Sequence, residues 1–164
     1  MLDTFYSTVS QLCFALLGLW WVVVQFKHEE WMSQPGMRRM AYSISLYFLL
    51  PGLMCLVSLL SADAKILWRL GFGMAGALGA VDSAYMLVKG DASAAPTGWL
   101  GVARWIVVLL YVLIVLIAFA PQLGQLVGLQ PLEAEGVLVA LMVFLGVNFA
   151  WSSFATPARE TANK

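Results

Sequence analysis

The sequence predicts an all-α integral membrane protein, folded as a bundle of five transmembrane helices. Three observations predict this class. Hydrophobic residues make up 62% of the 164 residues, mean hydropathy is +0.86, and five apolar runs each reach the roughly 20 residues that cross a bilayer. Charged residues make up only 11%, against about 25% in soluble domains. Because so few charges cannot cover a water-facing surface, we expect residues 1–164 to form a single membrane-embedded domain.

The five predicted spans lie near residues 5–26, 40–60, 66–88, 101–120 and 134–154. Turn-forming residues separate them, for example Pro35-Gly36 and Pro96. The connection over residues 121–131 carries no charge and mixes Leu with Gln. Such an apolar connection is expected to lie along the outer interface. A re-entrant cap over an outer opening is the alternative interpretation.

The placement of Lys and Arg predicts the orientation, because cytoplasmic segments of membrane proteins carry an excess of both. Alternate connections place Lys65 and Arg69 on one side of the bilayer and seven basic residues on the other. The seven are Lys27, Arg38, Arg39, Lys89, Arg104, Arg159 and Lys164. We therefore expect the N-terminus outside and the C-terminus in the cytoplasm, which requires an odd number of spans. The predicted location is the plasma (inner) membrane.

Small residues recur along the third predicted span, where Gly73, Gly76 and Gly79 each have an alanine four residues away. This spacing gives a helix a flat face, and flat faces let transmembrane helices approach closely. The three glycines are therefore predicted to line a helix–helix interface, either at the centre of the bundle or between subunits. The fourth span, rich in Val, Leu and Ile, is predicted to form the outer, lipid-facing wall.

A polar cluster is predicted at one depth of the bilayer. Asp82 lies seven residues before Lys89, or about 10 Å at 1.5 Å per residue. Tyr47 lies at a similar distance from the start of the second span, and Asn148 from the end of the fifth. Both of these ends are predicted on the same side of the bilayer as Lys89. An acidic residue inside a membrane by default indicates a functional site. We therefore interpret Asp82, Asn148 and Tyr47 as a site for a proton or small cation, with structural hydrogen bonding as the alternative.

Motifs for catalysis or metal binding are not found. His28-Glu29-Glu30 lacks the i, i+4 histidine pair of helical zinc sites. Cys13 and Cys55 sit in apolar runs without C-x-x-C spacing. We expect no enzymatic activity, no metal and no cofactor. The formal net charge of zero also leaves no basic surface for nucleic acid.

The sequence thus favours a small multi-pass channel or transporter for protons or small cations. Five helices enclose one narrow crevice at most, so we expect a homo-oligomer or partner membrane subunits in addition to membrane lipids. A protein of another class is the alternative. It is a non-catalytic assembly or scaffold subunit of a larger membrane complex.

Overall fold

The computed structural model describes residues 1–60, 65–89, 99–125 and 128–155. Every secondary-structure element in these residues is a helix. In chain order the helices are α1 (Leu2–Phe26), α2 (His28–Met32), α3 (Pro35–Leu60), α4 (Lys65–Lys89), α5 (Trp99–Phe119), α6 (Gln122–Gln125) and α7 (Pro131–Ala155).

Five of these helices, α1, α3, α4, α5 and α7, are long and apolar enough to cross a membrane. The predicted number of spans is thereby confirmed, and the protein is a multi-pass helical membrane protein. All five begin earlier than predicted, and α3 and α7 begin at a proline, Pro35 and Pro131. Proline suits the first position of a helix because its missing N–H has no partner there. The backbone N–H of Gln130 donates to Glu133 (2.9 Å), which completes the start of α7.

The second spanning helix, α3, is the most buried of the five. It contacts α1, α4 and α7, so α3 occupies the centre of the bundle. The sequence had suggested this central position for the third span, α4. Gly52 allows close contact with α1, because a Cβ there would lie 3.1 Å from the Cys13 Cβ. Ser10 donates to the Gly52 carbonyl at the same contact (3.3 Å). Hydropathy does not reveal which helix is central, since lipid and protein interior are equally apolar.

The glycine face of α4 packs against α5 of the same chain. A Cβ at Gly73 would lie 2.8 Å from the Phe119 ring, and a Cβ at Gly76 would lie 2.8 Å from Val115. At Gly79 a Cβ would overlap the ring of Tyr111. The glycines therefore give α5 the room that its larger side chains need.

The sequence suggested that α5 forms the outer, lipid-facing wall, but α5 also contributes one face to the interior of the bundle. One of its faces is fully buried and comprises Ala103, Val107, Tyr111, Ile114 and Ala118. Its other face is exposed, with Leu109 and Phe119 among its residues. Because Val, Leu and Ile suit both lipid and a helix contact, composition did not separate the two faces.

The connection after α5 contains the one-turn helix α6, which contacts both α5 and α7. Gly124 is buried, and its carbonyl accepts a hydrogen bond from Leu129 (3.2 Å). Gly128 has a φ of 74°, a conformation that favours glycine. Residues 126–127 of this connection lie outside the described residues.

Antiparallel contacts give the bundle two distinct ends. Trp20 near the end of α1 donates to the Ala41 carbonyl near the start of α3 (3.0 Å). Arg69 near the start of α4 donates to the Ala118 carbonyl near the end of α5 (3.1 Å), where a cation complements the helix dipole. We call the end formed by the starts of α3 and α5 the basic end, and the other the opposite end. The basic end carries Lys27, Arg38, Arg39 and Arg104.

Candidate functional site

Four polar side chains meet between α3 and α4 near the basic end. Arg39 and Ser43 are four residues apart on α3, and Asp82 and Tyr85 are three residues apart on α4. Both spacings place side chains on one face of a helix. We call these four residues the Asp82 cluster.

Both carboxylate oxygens of Asp82 have a partner in this cluster. The Ser43 hydroxyl donates to Oδ2 (2.7 Å), and the Arg39 guanidinium donates to Oδ1 (3.3 Å). The same guanidinium lies 4.0 Å from the centre of the Tyr85 ring, which adds a cation–π contact. Asp82 is thus bound by one cation and one hydroxyl, both from α3.

The two charges of the pair differ in their access to water or headgroups. The Asp82 side chain is 11% exposed and the Arg39 side chain 43%. A long arginine can keep its head near the interface while its stem lies along apolar surface. The carboxylate is therefore the enclosed partner, and the guanidinium is the partner able to move.

Buried hydroxyls extend the Asp82 cluster inward. The Tyr47 hydroxyl lies beside that of Ser83, and Tyr47 is within electrostatic reach of Asp82 and Arg104. Tyr111 on α5 is fully buried and within electrostatic reach of Tyr47 and Asp82. Its hydroxyl has no hydrogen-bond partner among the described residues. Three helices therefore contribute groups that can hold a proton or help to coordinate a small cation.

The structure brings together two of the three residues expected at this site, Asp82 and Tyr47. The third, Asn148, donates its amide to the Phe144 carbonyl of its own helix (2.8 Å) instead of to Asp82. A side-chain amide on a helix finds the carbonyl one turn earlier within reach, and this local bond competes with a partner on another helix. The link between α7 and Tyr47 is aromatic, because the Phe149 and Tyr47 rings lie 5.6 Å apart.

The sequence did not identify Arg39 as the partner of Asp82. Arg39 was assigned to a loop because the predicted span began at residue 40, whereas α3 begins at Pro35. One signal for the pair was present in the sequence. Arg39 and Ser43 have the spacing of one helix face, and so do Asp82 and Tyr85.

A second acidic residue inside the bundle was also missed. Glu135 on α7 is 0% exposed, and neither of its carboxyl oxygens has a hydrogen-bond partner among the described residues. It lies near the opposite end, away from the Asp82 cluster. The predicted fifth span began at residue 134, so Glu135 looked like a boundary residue.

Within the described residues no group of three His, Cys, Asp or Glu side chains could hold a metal ion. Comparison with protein-family models, curated protein sequences and solved structures finds no match for this chain. The functional conclusion therefore depends on the chemistry of the site itself.

Proposed function

We propose that this protein is a non-enzymatic channel or transporter for protons or small cations. The observation that carries the proposal is the nearly enclosed carboxylate of Asp82, 11% exposed in a membrane-spanning helix. Enclosing a charge in a bilayer is expensive, and such residues commonly mark ion or proton pathways. The buried side chains of Tyr47 and Tyr111, within electrostatic reach of Asp82, supply further oxygen atoms.

The proposed orientation places the basic end in the cytoplasm of the plasma (inner) membrane, with the N-terminus outside. The basic side chains Lys27, Arg38, Arg39 and Arg104 support it, since positive charge favours the cytoplasmic side. The Asp82 cluster then forms the cytoplasmic end of the pathway.

In the proposed mechanism the Arg39–Asp82 pair closes this end of the pathway. A proton arriving at Asp82 neutralises the carboxylate and removes the attraction for the guanidinium. A small cation acts similarly by replacing the guanidinium at Oδ1. Arg39 then moves towards the interface along Tyr85, while Ser43 still holds the other oxygen of Asp82. The differing exposure of the two charges supports this direction of movement.

Transport through this protein would involve several copies. The groove between α1, α3 and α7 is lined by apolar side chains that include Leu16, Phe48 and Val147, so it offers no water-filled path within one chain. We therefore propose a homo-oligomer, surrounded by membrane lipids, in which polar groups of neighbouring copies complete the path.

A second function, a non-catalytic subunit of a larger membrane complex, is favoured by one observation. Both oxygens of Asp82 already have partners within the chain. A purely structural ion pair has the same geometry, because it fixes two helices against each other.

Asp82→Asn separates the two functions. The amide has nearly the same shape and can still accept the Ser43 hydrogen bond. If Asp82 carries protons or cations, this variant keeps its thermal stability within a few degrees and loses flux, or the pH dependence of flux, in proteoliposomes. Asp3→Asn is the matched control, because Asp3 is exposed at the start of α1, and it should leave flux unchanged.

The opposite pattern contradicts the transport proposal. In that case Asp82→Asn unfolds at a clearly lower temperature, while the flux per folded protein and its pH dependence match the wild type. Asp82 would then be a structural residue, and the subunit function would be the better account.

A further inference from the structure

Glu135 is the most completely enclosed acidic side chain among the described residues. It is 0% exposed and belongs to the first turns of α7. Both carboxyl oxygens lack a hydrogen-bond partner in the described part of the chain. Glu133, two residues earlier, differs in that its carboxylate accepts the Gln130 N–H. The start of α7 is thus already completed by Glu133, and Glu135 is not needed for it.

The close packing of α1 on α7 brings the Tyr6 hydroxyl near Glu135. A Cβ at Gly136 would lie 3.0 Å from the Phe5 ring and 3.5 Å from the Tyr6 Oη. Tyr6 is buried, and its hydroxyl donates to the Leu132 carbonyl one turn before Gly136. The proton of Tyr6 is therefore engaged, while its oxygen can still accept a hydrogen bond.

Few titratable groups face Glu135. Tyr6 on α1 is within electrostatic reach of Glu135 and of Cys55 on α3. The only charged residue of α5, Arg104, lies at the basic end, and α6 carries no charge. Arg69 on α4 is hydrogen-bonded to the end of α5. Neither carboxyl oxygen of Glu135 accepts a hydrogen bond from a described cation.

These surroundings suit a proton better than a metal ion. A carboxylate without a counter-charge in an apolar interior carries a large desolvation penalty, and a bound proton removes it. A bare cation needs several oxygen ligands, whereas the described residues hold no group of three acidic, cysteine or histidine side chains. The protonated acid carries no charge and gains a hydrogen-bond donor.

We propose that Glu135, enclosed in the bundle beside Tyr6, is a proton-binding site at the end of the molecule opposite the Asp82 cluster. The carboxylate takes up one proton to become the neutral acid and releases it again when the surrounding pH rises. This site is independent of the Arg39–Asp82 pair, and it would stand even if Asp82 proved to be purely structural.

Infrared difference spectroscopy of the full chain in liposomes tests this site without a flux measurement. A protonated carboxyl group has a C=O stretching band that a carboxylate and an amide lack. We expect the wild type to show such a band at mildly acidic pH and to lose it reversibly in alkaline buffer. Because a protonated Asp82 would give a similar band, the compared proteins all carry Asp82→Asn. In this background Glu135→Gln should lack the band and remain folded, because the amide has nearly the same size. Glu133→Gln is the matched control and should retain the band.

Four results would overturn the proposal. The wild type could lack the band throughout, or Glu135→Gln could retain it, and in either case Glu135 does not hold the proton. The band could persist at every pH at which the protein stays folded, which would make Glu135 a permanently neutral structural acid. Finally, sodium, potassium or calcium could abolish the band at constant pH, which would make the ligand a metal cation.

Discussion

Asp82 shows at the level of single residues how a charge is kept inside a membrane helix. Its carboxylate is bound by Arg39 and Ser43 and is nearly enclosed, whereas the guanidinium is 43% exposed. Loss of the cation would leave the enclosed charge uncompensated. Loss of the acid would leave a cation that still reaches the interface and the Tyr85 ring. The two partners of the pair should therefore be unequal in their effects on stability.

We expect Arg39→Gln to lower the free energy of unfolding more than Asp82→Asn does. The loss for Arg39→Gln should be on the order of 1–2 kcal/mol, between the values for surface pairs and for fully buried pairs. The double variant should lose less than the sum of the two single losses. Denaturant unfolding in one detergent measures all four proteins. Strictly additive losses would show that the two side chains do not stabilise each other.

The sequence was sufficient to find one member of this pair. Asp82 is conspicuous because charged residues within a span are rare. Arg39 was not identified as the partner, because the side chain of a basic residue near a helix end can lie in a loop, at the interface or along its own helix. Asn148 bonds to the Phe144 carbonyl of its own helix, and the sequence did not indicate this. Equal depth in the bilayer does not determine the direction of a side chain around its helix.

At the level of helices, the α4–α5 contact shows what small residues do in this bundle. Gly73, Gly76 and Gly79 receive the side chains of α5, and Tyr111 lies directly on Gly79. The sequence predicted that these glycines line a helix interface. It could not identify the neighbour, because the same spacing serves helices of one chain and of different chains.

We expect Gly79→Ala to destabilise the bundle by about 1–3 kcal/mol, the usual loss for overpacking. The added methyl group would overlap the Tyr111 ring. The combination Gly79→Ala with Tyr111→Ala should lose less than the sum of the two single changes, because the smaller residue at 111 leaves room for the methyl group. Thermal unfolding in detergent measures these effects.

Gly18→Ala provides the control for this series. Nothing lies within 4 Å of a Cβ at Gly18, so the substitution should be neutral or slightly stabilising through helix propensity. Because Gly79 contacts α5 of its own chain, Gly79→Ala should keep the size distribution of the wild type. A shift to smaller particles without a loss of stability would instead assign Gly79 to a contact between subunits.

At the level of the whole molecule, five spanning helices predict that the start of α1 and the end of α7 lie on opposite sides of the membrane. The connection before α3 and the one containing α6 lie at different ends of the bundle. Composition alone was enough to predict the helical class and the number of spans, because hydrocarbon thickness fixes the length of a spanning helix. Neighbour relations between helices depend on side-chain shape, which hydropathy does not record.

We expect single cysteines at Gln34 and Gln122, both exposed, to react from opposite sides of the membrane. Gly124, on the same connection as Gln122, is a poorer site because it is buried. The native Cys13 and Cys55 are replaced by alanine in the parent for this experiment. An impermeant maleimide should label position 122 in intact cells and position 34 only after permeabilisation. Labelling of both positions from the same side would contradict five spans.

Proton and cation flux through the purified wild-type protein tests the central proposal most directly. Liposomes with and without the protein, matched in lipid and size, are given a potassium diffusion potential, and an enclosed dye reports internal pH. Sodium and potassium uptake are measured in parallel. We predict flux that rises with the amount of protein, exceeds that of protein-free liposomes and changes with pH. Flux equal to that of protein-free liposomes for protons, sodium and potassium at every pH would contradict a transport function.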